Sequence, residues 1–159
     1  MSKKLLTAAL AITALFAGVW IASLLRVDFK TLDGQGYRWS SLQGDWVVVN
    51  YFAEWCAPCL KEVPELNAFN QQIATQNIRL FAVSWDDLSH KELTTIKQRY
   101  DMQFDLLALE PKPKMPFSKP SQLPVSYILS PQGQLVKTLK GEQTSETLLR
   151  HIAQLKNEV

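Results

Sequence analysis

The run Trp46-Val-Val-Val-Asn-Tyr-Phe52 is nearly all apolar and ends four residues before the motif Cys56-Ala-Pro-Cys59. Beyond the motif, apolar residues recur at three- and four-residue steps. A strand apolar on both of its alternating faces is one buried on both sides, at the centre of a sheet. Leu60, Val63, Leu66, Phe69 and Ile73 then mark the buried stripe of a helix predicted from Cys59 to about Gln76. Pro64, which lacks a helical N–H, should kink it. Any fold for this chain must therefore place Cys56 and Cys59 where a central strand hands over to a helix.

That junction decides what the two cysteines are for. They are the only two in the chain, and a disulfide across two residues closes too short a loop to constrain much unfolded-chain entropy. Its value must be chemical. The free N–H groups and positive dipole end of the helix stabilise a thiolate on the first cysteine, making Cys56 the candidate nucleophile and Cys59 the neighbour that resolves what it captures. Pro58, between them at the helix start, favours a shaped and exposed turn over two inert core thiols. Two thiolates at this spacing are also half of a tetrahedral zinc site. The other half is missing, because His90 and His151 stand far apart and are not spaced as a ligand pair. No metal site is expected.

Residues 5–25 are 21 consecutive positions without a charge. At about 1.5 Å per residue, a helix of that length crosses a hydrocarbon layer of roughly 30 Å. Residues 1–26 are therefore expected to be an N-terminal membrane anchor and 27–159 one exported domain, since Lys3 and Lys4 keep the short N-terminus cytoplasmic. The run exceeds the roughly 7–15 residues of a signal-peptide core. Trp20, Ile21 and Leu24 crowd its end where cleavage needs small residues, so a retained anchor is expected. The segment after Arg26 carries 14 basic and 15 acidic residues, a balance that suits an ordinary domain and gives no support to nucleic-acid binding. An export signal with a lone C-x-x-C fits a compartment where disulfides are made and broken.

Along this domain, Val27–Leu32 and Gln35–Trp39 flank the turn signal Asp33-Gly34 and predict a hairpin covering the edge of the main sheet. Ile78–Trp85 reads as the next strand, and Ser89 through Glu92 as a capping box opening a helix that ends near Tyr100. Strand, helix and strand in this order imply parallel pairing. A short strand follows over Phe104–Leu109. The segment from Glu110 to Gln122, with four prolines and three lysines, reads as a loop over the surface. Val125–Leu129 and Gln134–Leu139 form an antiparallel hairpin. A helix from about Ser145 places Leu148, Leu149, Ile152 and Leu155 on one face.

Taken together, Leu32-Asp33-Gly34, the stretch Asn50-Tyr-Phe-Ala-Glu-Trp-Cys-Ala-Pro-Cys59, Glu62 with Pro64, Leu123-Pro124-Val-Ser-Tyr-Ile128 and Pro131-Gln-Gly133 resemble the thioredoxin superfamily. Within it they resemble the membrane-anchored TlpA/ResA-like thiol–disulfide oxidoreductases. The resemblance implies an α/β, thioredoxin-like fold: a central mixed sheet flanked by helices, with an N-terminal β-hairpin extension and one preceding transmembrane helix. It implies that Glu62 assists proton movement; independently, the i, i+3 spacing puts Glu62 on the same helix face as Cys59. It places Pro124 at the superfamily's cis-proline, where the backbone of Leu123 would meet a substrate strand, and it leaves Asn50 where thioredoxins themselves carry a buried aspartate. Trp55 and Pro58, beside the cysteines in sequence, are expected as further substrate contacts, and Trp55 either shields the disulfide or serves as a packing tryptophan.

The implied activity is disulfide reduction on exported proteins, with catalytic Cys56, Cys59 and Glu62 and no cofactor beyond the Cys56–Cys59 disulfide. Electrons would come from a membrane thiol donor of the DsbD/CcdA kind, on the bacterial inner membrane with the domain facing the periplasm or cell exterior. Cytochrome c maturation is one role such proteins take, although the Glu110–Gln122 segment departs from the shorter family pattern. A protein disulfide oxidant would use the same residues. An anchored copper(I) chaperone is the reading from a different class, since soft sulfur ligands would permit it. A peroxidase on the related fold would need a Pro- and Thr-bearing peroxidatic context that the chain lacks.

Overall fold

The computed structural model describes residues 12–16, 18 and 26–158. The span expected over 5–25 lies outside the described residues except for 12–16 and 18. Among the described residues no helix is long and apolar enough to cross a membrane.

The main sheet has five strands in the order β5-β4-β3-β6-β7. Its centre is β3 (Trp46–Phe52), all of whose residues are buried, as the apolar run required. β3 pairs in parallel with β4 (Ile78–Ser84), and β4 with the two-residue β5 (Asp105–Leu106). On its other side β3 pairs antiparallel with β6 (Val125–Leu129), which pairs antiparallel with β7 (Leu135–Lys140). The helices are α1 (Ala57–Ile73), α2 (His90–Arg99) and α3 (Ser145–Glu158).

Two crossovers run in the same direction along the sheet, from β3 through α1 to β4 and from β4 through α2 to β5. Crossovers of one hand stepping in one direction put their helices on one face. Accordingly Leu66 and Phe69 of α1, Ile96 of α2 and Leu148 and Ile152 of α3 share a single apolar core with Val48, Leu80 and Ile128. Alternation sends Val47, Val49, Tyr51, Phe81, Val83 and Tyr127 to the opposite face, where they form a second core.

This second face is covered without an α-helix, and a 3-10 turn over Trp39–Leu42 contributes Trp39 and the buried Leu42 to it. β1 (Phe29–Lys30) and β2 (Gly36–Tyr37) form the expected hairpin, shorter than its sequence pattern because the pairing frays beyond Gly36 and Tyr37. Gly34, at φ 89°, makes the turn. The hairpin does close the sheet edge, with Leu32 N–H donating to Leu106 O at 2.9 Å and Ala108 N–H to Lys30 O at 2.8 Å. It also lies over the face, where Phe29 meets Phe81 edge-on at 5.2 Å. The 110–122 segment covers the rest. Expected as a surface loop, it is docked: Phe117 packs on Tyr127 at 4.4 Å, Trp39 Nε1 donates to Lys114 O at 2.6 Å and Trp85 Nε1 to Pro120 O at 3.0 Å.

Most remaining boundaries agree with the sequence. Ser89 caps α2, with Glu92 reaching back to the Ser89 N–H at 2.8 Å. α1 begins two residues earlier than predicted, because Cys56 is its cap and Pro58 is tolerated in a first turn that needs no N–H there. It ends at Ile73, and it continues through Pro64.

Candidate functional site

β3 ends at Phe52, and four residues later Cys56 stands as the N-cap of α1. Its sulfur is bonded to that of Cys59 at 2.08 Å, and Cys56 Sγ accepts the Cys59 backbone N–H at 3.3 Å. That donor is one of the N–H groups a helix leaves unpaired in its first turn. In the reduced protein the same N–H and the positive helix end would favour a thiolate on Cys56. Both cysteines are buried, while Ala57 and Pro58 between them are exposed.

Glu62 lies one turn below Cys59 in α1 and points into the protein, 1% exposed. Alternation turns Asn50 of β3 towards the same helix, and Asn50 Nδ2 donates to Glu62 Oε2 at 3.1 Å and to Ser126 Oγ at 3.1 Å. Asn50 and Ser126 are directly opposed across the β3–β6 ladder. The backbone N–H of Gln143 donates to Glu62 Oε1 at 3.0 Å. Burial drives the Glu62 pKa up from 4.5 to about 7, with the nearby Glu142 charge adding to the rise and the Gln143 and Asn50 hydrogen bonds opposing it. A carboxyl that is half ionised at neutral pH can take a proton or return one.

Leu123 and Pro124 come immediately before β6. Since Val125 pairs with Tyr51, they lie beside the end of β3, where the chain turns towards Cys56. The Leu123–Pro124 peptide bond is cis, as the resemblance implies. Pro124 is buried and Leu123 half-buried.

Trp55 is 65% exposed yet fixed, with Nε1 donating to Asp86 Oδ2 at 2.8 Å and its ring edge-on to Trp85 at 6.1 Å. Asp86 is itself held by Ser84, whose hydroxyl donates to Asp86 O at 2.9 Å. Trp85, at the end of the strand predicted from sequence, and Asp86 thus hold the tryptophan that precedes the disulfide turn. Ser126 and Gln143 gave no local signal at all. Only the registry of β6 brings Ser126 to Asn50, and only the turn after β7 brings Gln143 to Glu62. Among the described residues no group of three or more His, Cys, Asp and Glu side chains is placed to hold a metal ion.

Comparison with known proteins agrees with this geometry. The model of the AhpC/TSA family matches residues 24–148. The thiol–disulfide oxidoreductase ResA of Bacillus thuringiensis subsp. konkukian is 25% identical over 124 residues, covering 78% of this chain and 71% of its own. ResA of Geobacillus kaustophilus is 23% identical over 146 residues, covering 91% and 80%. Among solved structures, StoA of Bacillus subtilis superposes with a TM-score of 0.66 at 21% identity, covering 77% of this chain and 92% of its own. With a thioredoxin-like sheet, a disulfide capping its first long helix and a family match over most of its length, the chain belongs to the AhpC/TSA family as a ResA-like thiol–disulfide oxidoreductase.

Proposed function

We propose that the protein reduces disulfides in exported proteins. In the reduced enzyme the Cys56 thiolate attacks a substrate sulfur, forming a mixed disulfide and expelling one substrate thiolate. The Cys59 thiol gives its proton to Glu62, directly or through water, and the resulting thiolate attacks Cys56. This re-forms the Cys56–Cys59 bond and releases the second substrate thiolate, which is protonated. Two electrons pass to the substrate. The observation that carries this reading is the disulfide at the helix cap one turn from the buried carboxyl of Glu62.

Trp55 and Pro58, neighbours of the cysteines in the chain, and the Leu123–Pro124 backbone beside the end of β3 would receive the substrate strand. Return of electrons requires a donor, for which a membrane thiol protein of the DsbD/CcdA kind is the natural class. An anchor within residues 1–26 would hold domain 27–159 and that donor in one plane, raising their effective concentration. This puts the protein on the bacterial inner membrane, facing the periplasm or cell exterior, with cytochrome c maturation as one route for its electrons. No cofactor is needed beyond the disulfide.

The test is a trap. Cys59→Ala should leave Cys56 covalently linked to its partner, and identification of that partner settles substrate and direction together. A reduction potential near that of strong protein oxidants, measured against a glutathione series, would overturn the reductase direction.

A further inference from the structure

On the sheet face away from the helices, beneath the 110–122 segment, lies a cavity of about 260 Å³. Tyr51 and Phe117 line its interior, Trp85 forms one side, and the exposed Lys112, Lys119 and Asp87 stand around its mouth. Sites for drug-sized ligands run to roughly 300–1,000 Å³, so this space suits one large side chain rather than a cofactor. Tyr51 and Val83 come from the ends of the parallel strands β3 and β4, the end of the sheet where the disulfide sits.

Three observations give the cavity a chemistry. Tyr51 is 4% exposed, yet its hydroxyl has no hydrogen-bond partner among the described residues, whereas the neighbouring Tyr127 hydroxyl donates to Ser118 O at 3.2 Å. Burial pushes the Tyr51 pKa up to about 12, so it is an O–H donor at neutral pH. Lys112 and Lys119 form no ion pair among the described residues, and the Lys119 ammonium lies 4.0 Å from the Trp85 ring centre. Two cations thus face one carboxylate, Asp87. The walls are held in place, since Trp85 Nε1 bonds Pro120 O at 3.0 Å and Phe117 packs on Tyr127.

We propose that this cavity is a substrate subsite that takes an aromatic or large aliphatic side chain carried beside a carboxylate on the partner polypeptide, while the partner's disulfide lies at Cys56. The inference rests on the reading of protein disulfides as substrates. The apolar walls receive the side chain, and the Tyr51 hydroxyl and the two ammoniums meet the carboxylate. A basic neighbour in the same place would face those ammoniums and be rejected. Trp85 links the cavity to the turn that carries the sulfurs, because its ring also lies edge-on to Trp55, the residue before Cys56.

The test uses the reduced full chain with three synthetic peptides, each closed by one disulfide and carrying Phe-Asp, Phe-Lys or Ser-Asp a few residues from the nearer cysteine. Rates are expressed relative to a small uncharged disulfide, hydroxyethyl disulfide. The Phe-Asp peptide should react about three- to tenfold faster on this relative scale than the other two. The double variant Lys112→Glu/Lys119→Glu should lose that preference or turn it towards Phe-Lys, and Tyr51→Phe should lower it in part. A cysteine-free Phe-Asp peptide should inhibit the wild-type protein and not the charge-reversed one. Equal relative rates for all three peptides, or a preference that survives charge reversal, would overturn the subsite. Both lysines are exposed, so the charge-reversed variant carries the test even if Tyr51→Phe folds poorly. A protein inert towards hydroxyethyl disulfide as well would overturn the redox reading beneath it.

Discussion

Glu62 shows how one residue can be legible in sequence while its chemistry is not. Its spacing from Cys59 put it on the right helix face, but its proton affinity depends on partners 12 and 81 positions away, Asn50 and the Gln143 N–H. Because the folded pKa, about 7, lies above the ordinary 4.5, the native state holds a proton that the unfolded chain has released between those values. Stability should therefore fall as pH rises through that window and level off above it. At about 1.4 kcal/mol per unit the loss is of order 3 kcal/mol. Glu62→Gln should flatten this slope in denaturant melts from pH 4 to 8. It should also slow disulfide exchange by about a hundredfold and remove the inflection near pH 7 from the rate profile. Asn50→Ala takes away a donor to the carboxylate and should raise the Glu62 pKa further, costing about 1.5–3 kcal/mol at alkaline pH. If that cost persists in the Glu62→Gln background, the two side chains are not coupled, which a double-mutant cycle would reveal.

Elements with a strong local code were read closely. The β3 run, the Ser89–Glu92 capping box and the apolar face of α3 each appeared where their patterns predicted. Ser89→Ala should lower the melting stability by about 1 kcal/mol and leave the reduction potential of the Cys56–Cys59 pair unchanged, since α2 carries none of the reacting groups. The 110–122 segment is the surface loop its composition predicts, without regular structure and mostly exposed, but its anchoring is not legible in the sequence. Its prolines forbid any repeating period, so nothing in the pattern distinguishes a loop that floats from one pinned, among other bonds, by the Trp39 and Trp85 indoles. Those indoles lie 75 and 35 residues away from the carbonyls they hold. The β1–β2 hairpin was found at its turn, where Asp33-Gly34 is explicit, and overestimated in length, because alternation continues past the point where the two chains still pair.

For the whole molecule, α1, α2 and α3 pack on one face of the main sheet, leaving the other to be closed by the β1–β2 hairpin, the turn over Trp39–Leu42 and the 110–122 segment. The stability of that second core should therefore rest heavily on the few large rings that cover it. Phe29, 2% exposed and stacked among Tyr37, Trp39 and Phe81, is the clearest case. Phe29→Ala should cost about 3–5 kcal/mol by chemical denaturation. A cost under 1 kcal/mol would mean that residues 27–42 only decorate the domain. The thioredoxin-like class itself was readable because its determinants are local: a buried strand, a helix-capping cysteine and a proline before the last hairpin. How each face is roofed was not, since that follows from contacts between segments remote in sequence.

The bond between Asn50 and Ser126 spans 76 residues, and that between Gln143 and Glu62 spans 81. During synthesis the nascent chain thus owns both sulfurs, the acid and Asn50 long before it owns Ser126 and Gln143. The hydrogen bonds around the acid are complete only once the closing hairpin and the turn behind it are in place.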